Sequence, residues 1–167
     1  IFGFTFIIWK YFVKNIHDIN LKLPPLDGVV IHGGGWKKLA DEAVDNVQFR
    51  KSVYEACGVN NVINYYGMVE QTGSIFLECS EGYLHCSIFS DIFIRNNDFS
   101  ICDCNEIGLV QLISLLPTSY PGHNIISEDI GEIIGVDNCK CGRLGKYFLI
   151  HGRAEKAEIR GCSDTIE

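Results

Sequence analysis

The chain has 167 residues, of which 47% are apolar and 21% charged, and a formal net charge of −7. This composition belongs to a globular protein rather than a disordered one, and the length suits one domain or a piece of a larger protein. The acidic balance, with no long basic run, argues against a nucleic-acid partner, because phosphate-backbone binding rests on clustered Lys and Arg.

The opening "IFGFTFIIWKYFVKNI" has no initiating methionine and starts inside what reads as a packed element, so the chain is expected to be the C-terminal part of a longer protein. Lys10 ends the uncharged run after nine residues, well short of the roughly 20 needed for a membrane span. No basic leader or small-residue cleavage site marks a signal peptide. Phe4, Ile7, Tyr11, Lys14 and Asp18 recur at helical spacing, and Phe6, Trp9 and Val13 extend the apolar surface; this predicts a helix buried on most sides. "LKLPPLDG" is a connection, since Pro24-Pro25 cannot continue a helix. A strand over 28–32 then enters a glycine-rich loop, and an amphipathic helix over 41–56 follows, with Val44, Val47, Val53 and Ala56 on one side. Asp41 and Glu42 suit its positive end, and Gly58 is its natural stop. With a strand over 62–64, the pattern is βαβ, which implies parallel strands and a right-handed crossover.

Beyond residue 73 the texture changes. "SIFLECSEGYLHCSIFSDIFIR" reads as a hairpin plus a further strand, and "GLVQLISLL", "IISEDIGEII" and "KYFLIHGR" add more strands. The expected fold is α/β, with a βαβ segment followed by a β-rich subdomain, antiparallel and either barrel-like or strongly twisted.

Several residues stand where chemistry is possible. In "NVINYYGMVEQTG", Asn64 and Gly67 are turn residues, so Tyr66 and Glu70 fall on the lip past a strand's carboxyl end, where open α/β sheets bind ligands. Gly33, Gly34 and Gly35 let backbone approach a ligand closely, but they lack P-loop or dinucleotide spacing, and a strained turn is the competing reading. Asp129 in "SEDIGEI" can accept hydrogen bonds from ribose hydroxyls or sit in a solvated turn. Arg153 carries a fork suited to phosphate or ribose, or makes a surface ion pair.

Eight cysteines without secretory signals favour reduced thiols or metal ligands, and a cytoplasmic setting. Cys139 and Cys141 form a C-x-C turn, and Cys79 and His85 flank a tight hairpin that brings them to one side. Three sulfurs and an imidazole would make a closed, structural zinc site. Cys86 could replace His85, Cys102 and Cys104 form a competing C-x-C, and buried free thiols are the simpler alternative.

Together these pieces resemble an adenylate-forming enzyme. "YYGMVEQTG" resembles the Tyr-Gly-x-Thr-Glu motif of that superfamily, with "HGGGWKKL" before it, "SEDIGEI" after it and "HGRAEKAEIRG" at the hinge position. Closer still, "IHGGGWKKLADEAVDN", "YYGMVEQTGSIFLEC", "LLPTSYPGH" and "CGRLGKYFLIHGR…RGCSD" resemble the acyl-protein synthetase family, which includes the synthetase subunit of the fatty-acid reductase of bacterial bioluminescence. Phenylacetate–CoA ligases are more distant and share the C-x-C-Gly-Arg element. The likeness spans nearly all of this chain but only the C-terminal half or so of a family member.

The resemblance implies residues 1–150 as the C-terminal part of a large nucleotide-binding domain and 151–167 as hinge and tail. It implies ATP and Mg²⁺ as cofactors and a carboxylic acid, a fatty acid in particular, as substrate. Tyr66, Gly67 and Gly33 to Gly35 would line the adenine pocket, Glu70 would help bind Mg²⁺, and Asp129 and Arg153 would contact the nucleotide. Cys162 in "RGCSD" would accept the acyl group as a thioester, with Arg160 lowering its pKa. The acyl group would pass to a reductase, a carrier or CoA. Val69 stands where the superfamily more often has Thr, the Ser/Thr/Gly-rich phosphate loop is missing, and no lysine follows Lys156, so this stretch by itself is expected to be inactive. Alternatives are an aryl- or acyl-CoA ligase and a zinc-stabilised binding module without catalysis.

Overall fold

The β-branched run Val29–Gly33 (β2) and the run Asn61–Tyr66 (β3) lie side by side as parallel strands, with Val30 opposite Val62. The computed structural model describes residues 1–21 and 23–154. Between these strands runs a helix, Asn46–Cys57, which begins later than its sequence suggests. Asp45 is the reason: its carboxylate accepts the Gln48 backbone N–H at 2.8 Å and caps the helix, while Asp41 and Glu42 fall in a short 3₁₀ segment, Lys37–Glu42. Val53 and Ala56 are buried, as expected, but Val47 is 77% exposed, because it lies about 120° round the helix from Val53; Phe49, one turn before Val53, is buried in its place. Gly58 ends the helix in the left-handed region at φ 75°, as expected.

The opening element differs from its expectation. Phe2–Phe4 form strand β1, parallel to β2 with Phe2 opposite Ile31, and the helix runs only over 5–18, with a π-helical stretch at Ile8–Lys14. The edge of β2 supplies hydrogen-bond partners that a helix at 2–4 would forgo; the Ile31 N–H also donates to the Ile1 carbonyl at 2.9 Å. Most of this helix is covered, as expected: Thr5 to Trp9, Phe12, Val13 and Ile16 are buried or half-buried, and one side, with Lys10, Tyr11 and Asn15, is exposed. Two βαβ units thus share β2. Their helices pack Ile8, Val13, Phe49 and Val53 against Val30 and Val62 of the sheet.

After β3 the chain turns antiparallel. Strands Phe76–Glu78 (β4), Leu84–His85 (β5), Ser90–Arg95 (β6), Gly108–Ser114 (β7), Asn124–Val136 (β8) and Lys146–Arg153 (β9) extend the same sheet, in the order β1-β2-β3-β4-β5-β9-β8-β7-β6. It is one nine-stranded sheet with β1 and β6 as its edges, so the β-rich half does not close into a separate barrel. Strands β4 to β9 nevertheless share one core, containing Phe76, Leu84, Ile92, Val110, Ile133 and Phe148. The rings of Phe76 and Phe148 meet edge to face at 5.3 Å. Each side chain so buried contributes about 1.5–3 kcal/mol. Irregularities interrupt β8–β9 pairing at Ile130/Gly131 and Ile133/Gly135, the first beside Asp129; such bulges bend a strand and re-aim its side chains. Among the described residues, no helix is long and apolar enough to cross a membrane.

Candidate functional site

Three sequence-predicted residues, far apart in the chain, meet at one place. Tyr66 ends β3, Asp129 lies in β8, and Arg153 ends β9 as its cross-strand partner. The Tyr66 hydroxyl donates to Asp129 Oδ2 at 2.5 Å, and Arg153 Nε lies 3.7 Å from Oδ1. The Asp129 backbone N–H donates to Ser127 Oγ at 3.1 Å, which fixes the strand locally. Burial and then the Asp129 charge push the Tyr66 phenol well above its ordinary pKa, so it stays a neutral donor. Asp129 thus presents one oxygen to a tyrosine and the other toward a cation, with 19% of its side chain exposed. A partly exposed carboxylate held this way can accept a diol's hydrogen bonds.

Beyond β3, Gly67 and Met68 lead into a short 3₁₀ turn, Val69–Gln71. Glu70 is exposed, and among the described residues its carboxylate makes no hydrogen bond or ion pair. A hard, uncommitted carboxylate oxygen is chemically suited to Mg²⁺. Its neighbour fixes the turn: Gln71 is fully buried, and its Nε2 donates to the carbonyls of Leu112 at 3.2 Å and Gly122 at 2.9 Å. The Thr72 N–H donates to the Tyr120 hydroxyl at 3.0 Å. Sequence reasoning passed over Gln71; an amide next to an exposed acid carries no periodic signal.

The three glycines do different things. A Cβ on Gly33 would stand 2.6 Å from the Tyr65 carbonyl oxygen and 2.7 Å from its ring, so packing against β3 accounts for that glycine. Gly34 has φ +76°, a turn conformation. Nothing lies within 4 Å of a Cβ on Gly35, and backbone there is open to a ligand. Beside them is a cavity of about 140 Å³ lined by Thr5, His32, Trp36, Asn46, Phe49 and Asn64. That is smaller than the roughly 300–1,000 Å³ of small-molecule pockets. His32 is neutral there, its pKa pushed down to about 4 by burial and by the Arg50 charge. Its Nδ1 is 3.0 Å from Thr5 Oγ1, and its Nε2 has no partner among the described residues.

Glu78 is the polar hub that the sequence reading missed. Buried at 5%, its carboxylate accepts from Asn46 Nδ2 at 2.5 Å, Arg50 Nη2 at 2.7 Å and the Asn64 backbone N–H at 3.1 Å. It joins the second helix to β3 and β4. The alternation in "FLE", which puts Glu78 on the same side as the buried Phe76, was the available signal.

The cysteine and histidine groups singled out from spacing also converge. One ligand atom from each of Cys79, His85, Cys139 and Cys141 lies within 4.8 Å of the others. Cys79 and Cys139 sulfurs are 3.9 Å apart, and Cys141 Sγ is 3.4 Å from His85 Nε2. Burial pushes the Cys139 thiol up to about 11, and burial followed by the Arg143 charge lowers the His85 imidazole. The competing candidates sit elsewhere: Cys86 packs against the main core, Cys102 is within it, and Cys104 is exposed. Cys162 and Arg160, and most of the expected hinge, lie outside the described residues; 151–153 belong to β9.

Comparison with known proteins agrees with this architecture. A family model described as acyl-protein synthetase, LuxE, matches residues 1–167. No curated protein matches the sequence. Among solved structures, the chain is similar to McyG A-PCP complexed with phenylalanyl-adenylate, at 12% identity and TM-score 0.60 over 92% of this chain and 26% of that one. It is also similar to ATP-bound MatB from Rhodopseudomonas palustris, at 13% identity and TM-score 0.54 over 91% and 30%. The anthranilate CoA ligase AuaEII, in complex with anthranoyl-AMP, gives 14% identity and TM-score 0.53 over 75% and 24%. The chain thus spans between 24% and 30% of the length of these structures. At such identities the likeness shows the fold alone.

Proposed function

The chain belongs to the acyl-protein synthetase family, and from that membership we propose that the full protein activates a carboxylic acid with ATP and passes the acyl group to a thiol. The observation that carries this reading is the meeting of Tyr66, Asp129 and Arg153 at the ends of β3 and β9 and in β8, with the Glu70 turn following β3. In the first step a carboxylate oxygen attacks the α-phosphorus of ATP, and pyrophosphate leaves. Asp129 holds the ribose hydroxyls, Arg153 faces the nucleotide's oxygens, and Tyr66 with Gly67 and the open backbone at Gly35 borders the base. Glu70 holds Mg²⁺, which when bound offsets phosphate charge. In the second step a thiolate attacks the acyl carbonyl, the acyl–phosphate bond breaks, and AMP departs with the electron pair. Cysteine suits that step because a few per cent is thiolate at neutral pH, and Cys162 is the residue we assign to it.

A long-chain fatty acid is the proposed substrate, with a reductase, carrier or CoA as the final acceptor. The test is acyl-protein formation from radiolabelled acids by the full protein. Label retained on the protein after denaturation, released by hydroxylamine and absent in Cys162→Ser, supports the thioester. Undiminished CoA ester formation in Cys162→Ser, with no labelled protein, would instead assign a CoA ligase.

A further inference from the structure

None of the adenylation steps uses Cys79, His85, Cys139 or Cys141, yet these four groups are arranged as a ligand set. Tetrahedral zinc, with bonds of about 2.3 Å to sulfur and 2.0–2.1 Å to nitrogen, spaces its ligands about 3.8 Å apart for S···S and about 3.5 Å for N···S. The separations here are 3.9 Å for Cys79–Cys139 and 3.4 Å for Cys141–His85 Nε2, with every pair inside 4.8 Å. An independent sign comes from His85. The residue is 5% exposed; among the described residues its Nδ1 has no hydrogen-bond partner, and its Nε2 has only the Cys141 sulfur. A buried imidazole with no conventional partner on either nitrogen is costly unless something binds it.

The local backbone is shaped for the same purpose. Gly142, at φ +81°, turns the chain directly after Cys141, and the Arg143 N–H donates to Cys141 Sγ at 3.4 Å. Tyr147 closes the cluster, its ring stacked on His85 at 5.6 Å and its hydroxyl tied to Asn138 Oδ1 at 2.9 Å. All four ligand positions come from protein, three of them buried and Cys141 half-buried, so no position is left for substrate. Three sulfurs and one nitrogen select zinc over the oxygen-loving Mg²⁺ or Ca²⁺.

We infer that Cys79, His85, Cys139 and Cys141 bind one structural zinc ion, which staples the β4–β5 turn to the β8–β9 turn. The staple joins segments 60 residues apart. On one side it abuts Glu78, the anchor of the second helix and β3; on the other it closes the β8–β9 ribbon that carries Asp129 and Arg153. Its consequence for the nucleotide groups rests on the function proposed above, whereas the metal itself is tested independently of activity.

The experiment is elemental analysis of the full protein purified without chelator, with cobalt substitution and mass-spectrometric mapping of thiol alkylation. The expected result is about one zinc per chain, lost in Cys79→Ser and Cys139→Ser and kept in Cys86→Ser and Cys104→Ser. The cobalt form of the unmutated protein should show thiolate-to-metal charge transfer and tetrahedral d–d bands. Cys79, Cys139 and Cys141 should resist alkylation until a chelator is added, while Cys104 reacts at once. These wild-type readouts hold even if the variants fail to fold. Zinc at background in folded protein, zinc kept in the Cys79→Ser/Cys139→Ser double variant, or alkylation of the three cysteines without chelator would each overturn the inference.

Discussion

Replacing Glu78 by alanine is the sharpest test of how the helical and β-rich parts are joined. The carboxylate, with 3% of its side chain exposed, serves three donors: Asn46 Nδ2, Arg50 Nη2 and the Asn64 N–H. Alanine strands all three. A buried donor left unpaired costs about 1–3 kcal/mol, but Arg50, with 35% of its side chain exposed, recovers water and counts at the low end. Breaking a buried pair from one side typically costs about 3–5 kcal/mol, and that is the expected loss here. Glu78→Gln keeps one acceptor and the shape, so it should lose about half as much. Equilibrium urea unfolding followed by circular dichroism measures both, with Leu77→Ala, on the exposed face of β4, as the control. A double-mutant cycle with Arg50→Ala then isolates the pair. A Glu78→Ala loss below about 1 kcal/mol, or strict additivity with Arg50→Ala, would refute the hub.

Other outcomes follow from the same geometry. Gly33→Ala should destabilise by about 1–3 kcal/mol, because its Cβ would meet the Tyr65 carbonyl at 2.6 Å, whereas Gly35→Ala, with open space around it, should leave the urea midpoint unchanged. Tyr66→Phe removes a charge-assisted hydrogen bond to Asp129 and should cost about 1.5–3 kcal/mol; an unchanged melting temperature would contradict that contact. His32, depressed to about 4 in the fold, binds fewer protons than the unfolded chain, whose histidine titrates near 6.5. Its contribution is therefore full above pH 6.5 and declines as pH falls toward 4, by about 3 kcal/mol in all. An NMR titration of the His32 ring with a midpoint near 6.5 would refute this.

The βαβ segment was legible because its signals are local: β-branched strands, a capped amphipathic helix and a left-handed Gly58. Boundaries were less so. The carboxylates at 41 and 42 suit a helix start, yet it is Asp45 whose side chain accepts an N-terminal amide, and Phe49 rather than Val47 joins Val53 and Ala56 on the buried face. Phe4 falls on the helical spacing of the residues after it, three residues carry no strand period of their own, and only the partner edge of β2 makes Phe2–Phe4 a strand. The hairpin spacing did bring Cys79 and His85 together, and the C-x-C turn came to meet them. Glu78 escaped because its partners are 14 to 32 residues away, and pairing at that distance is a property of the fold. Likewise, Asp129 meets Tyr66 only because β9 lies between β5 and β8 in the sheet.

Adenylation is measured directly as carboxylate-dependent ATP–pyrophosphate exchange by the full protein across fatty and aryl acids, with Mg²⁺ present. Exchange should require a fatty acid and be abolished, or nearly so, by Asp129→Ala and Glu70→Ala while both variants remain folded. Absence of exchange with every acid, from folded protein, or exchange undiminished in both variants, would contradict adenylation at this site.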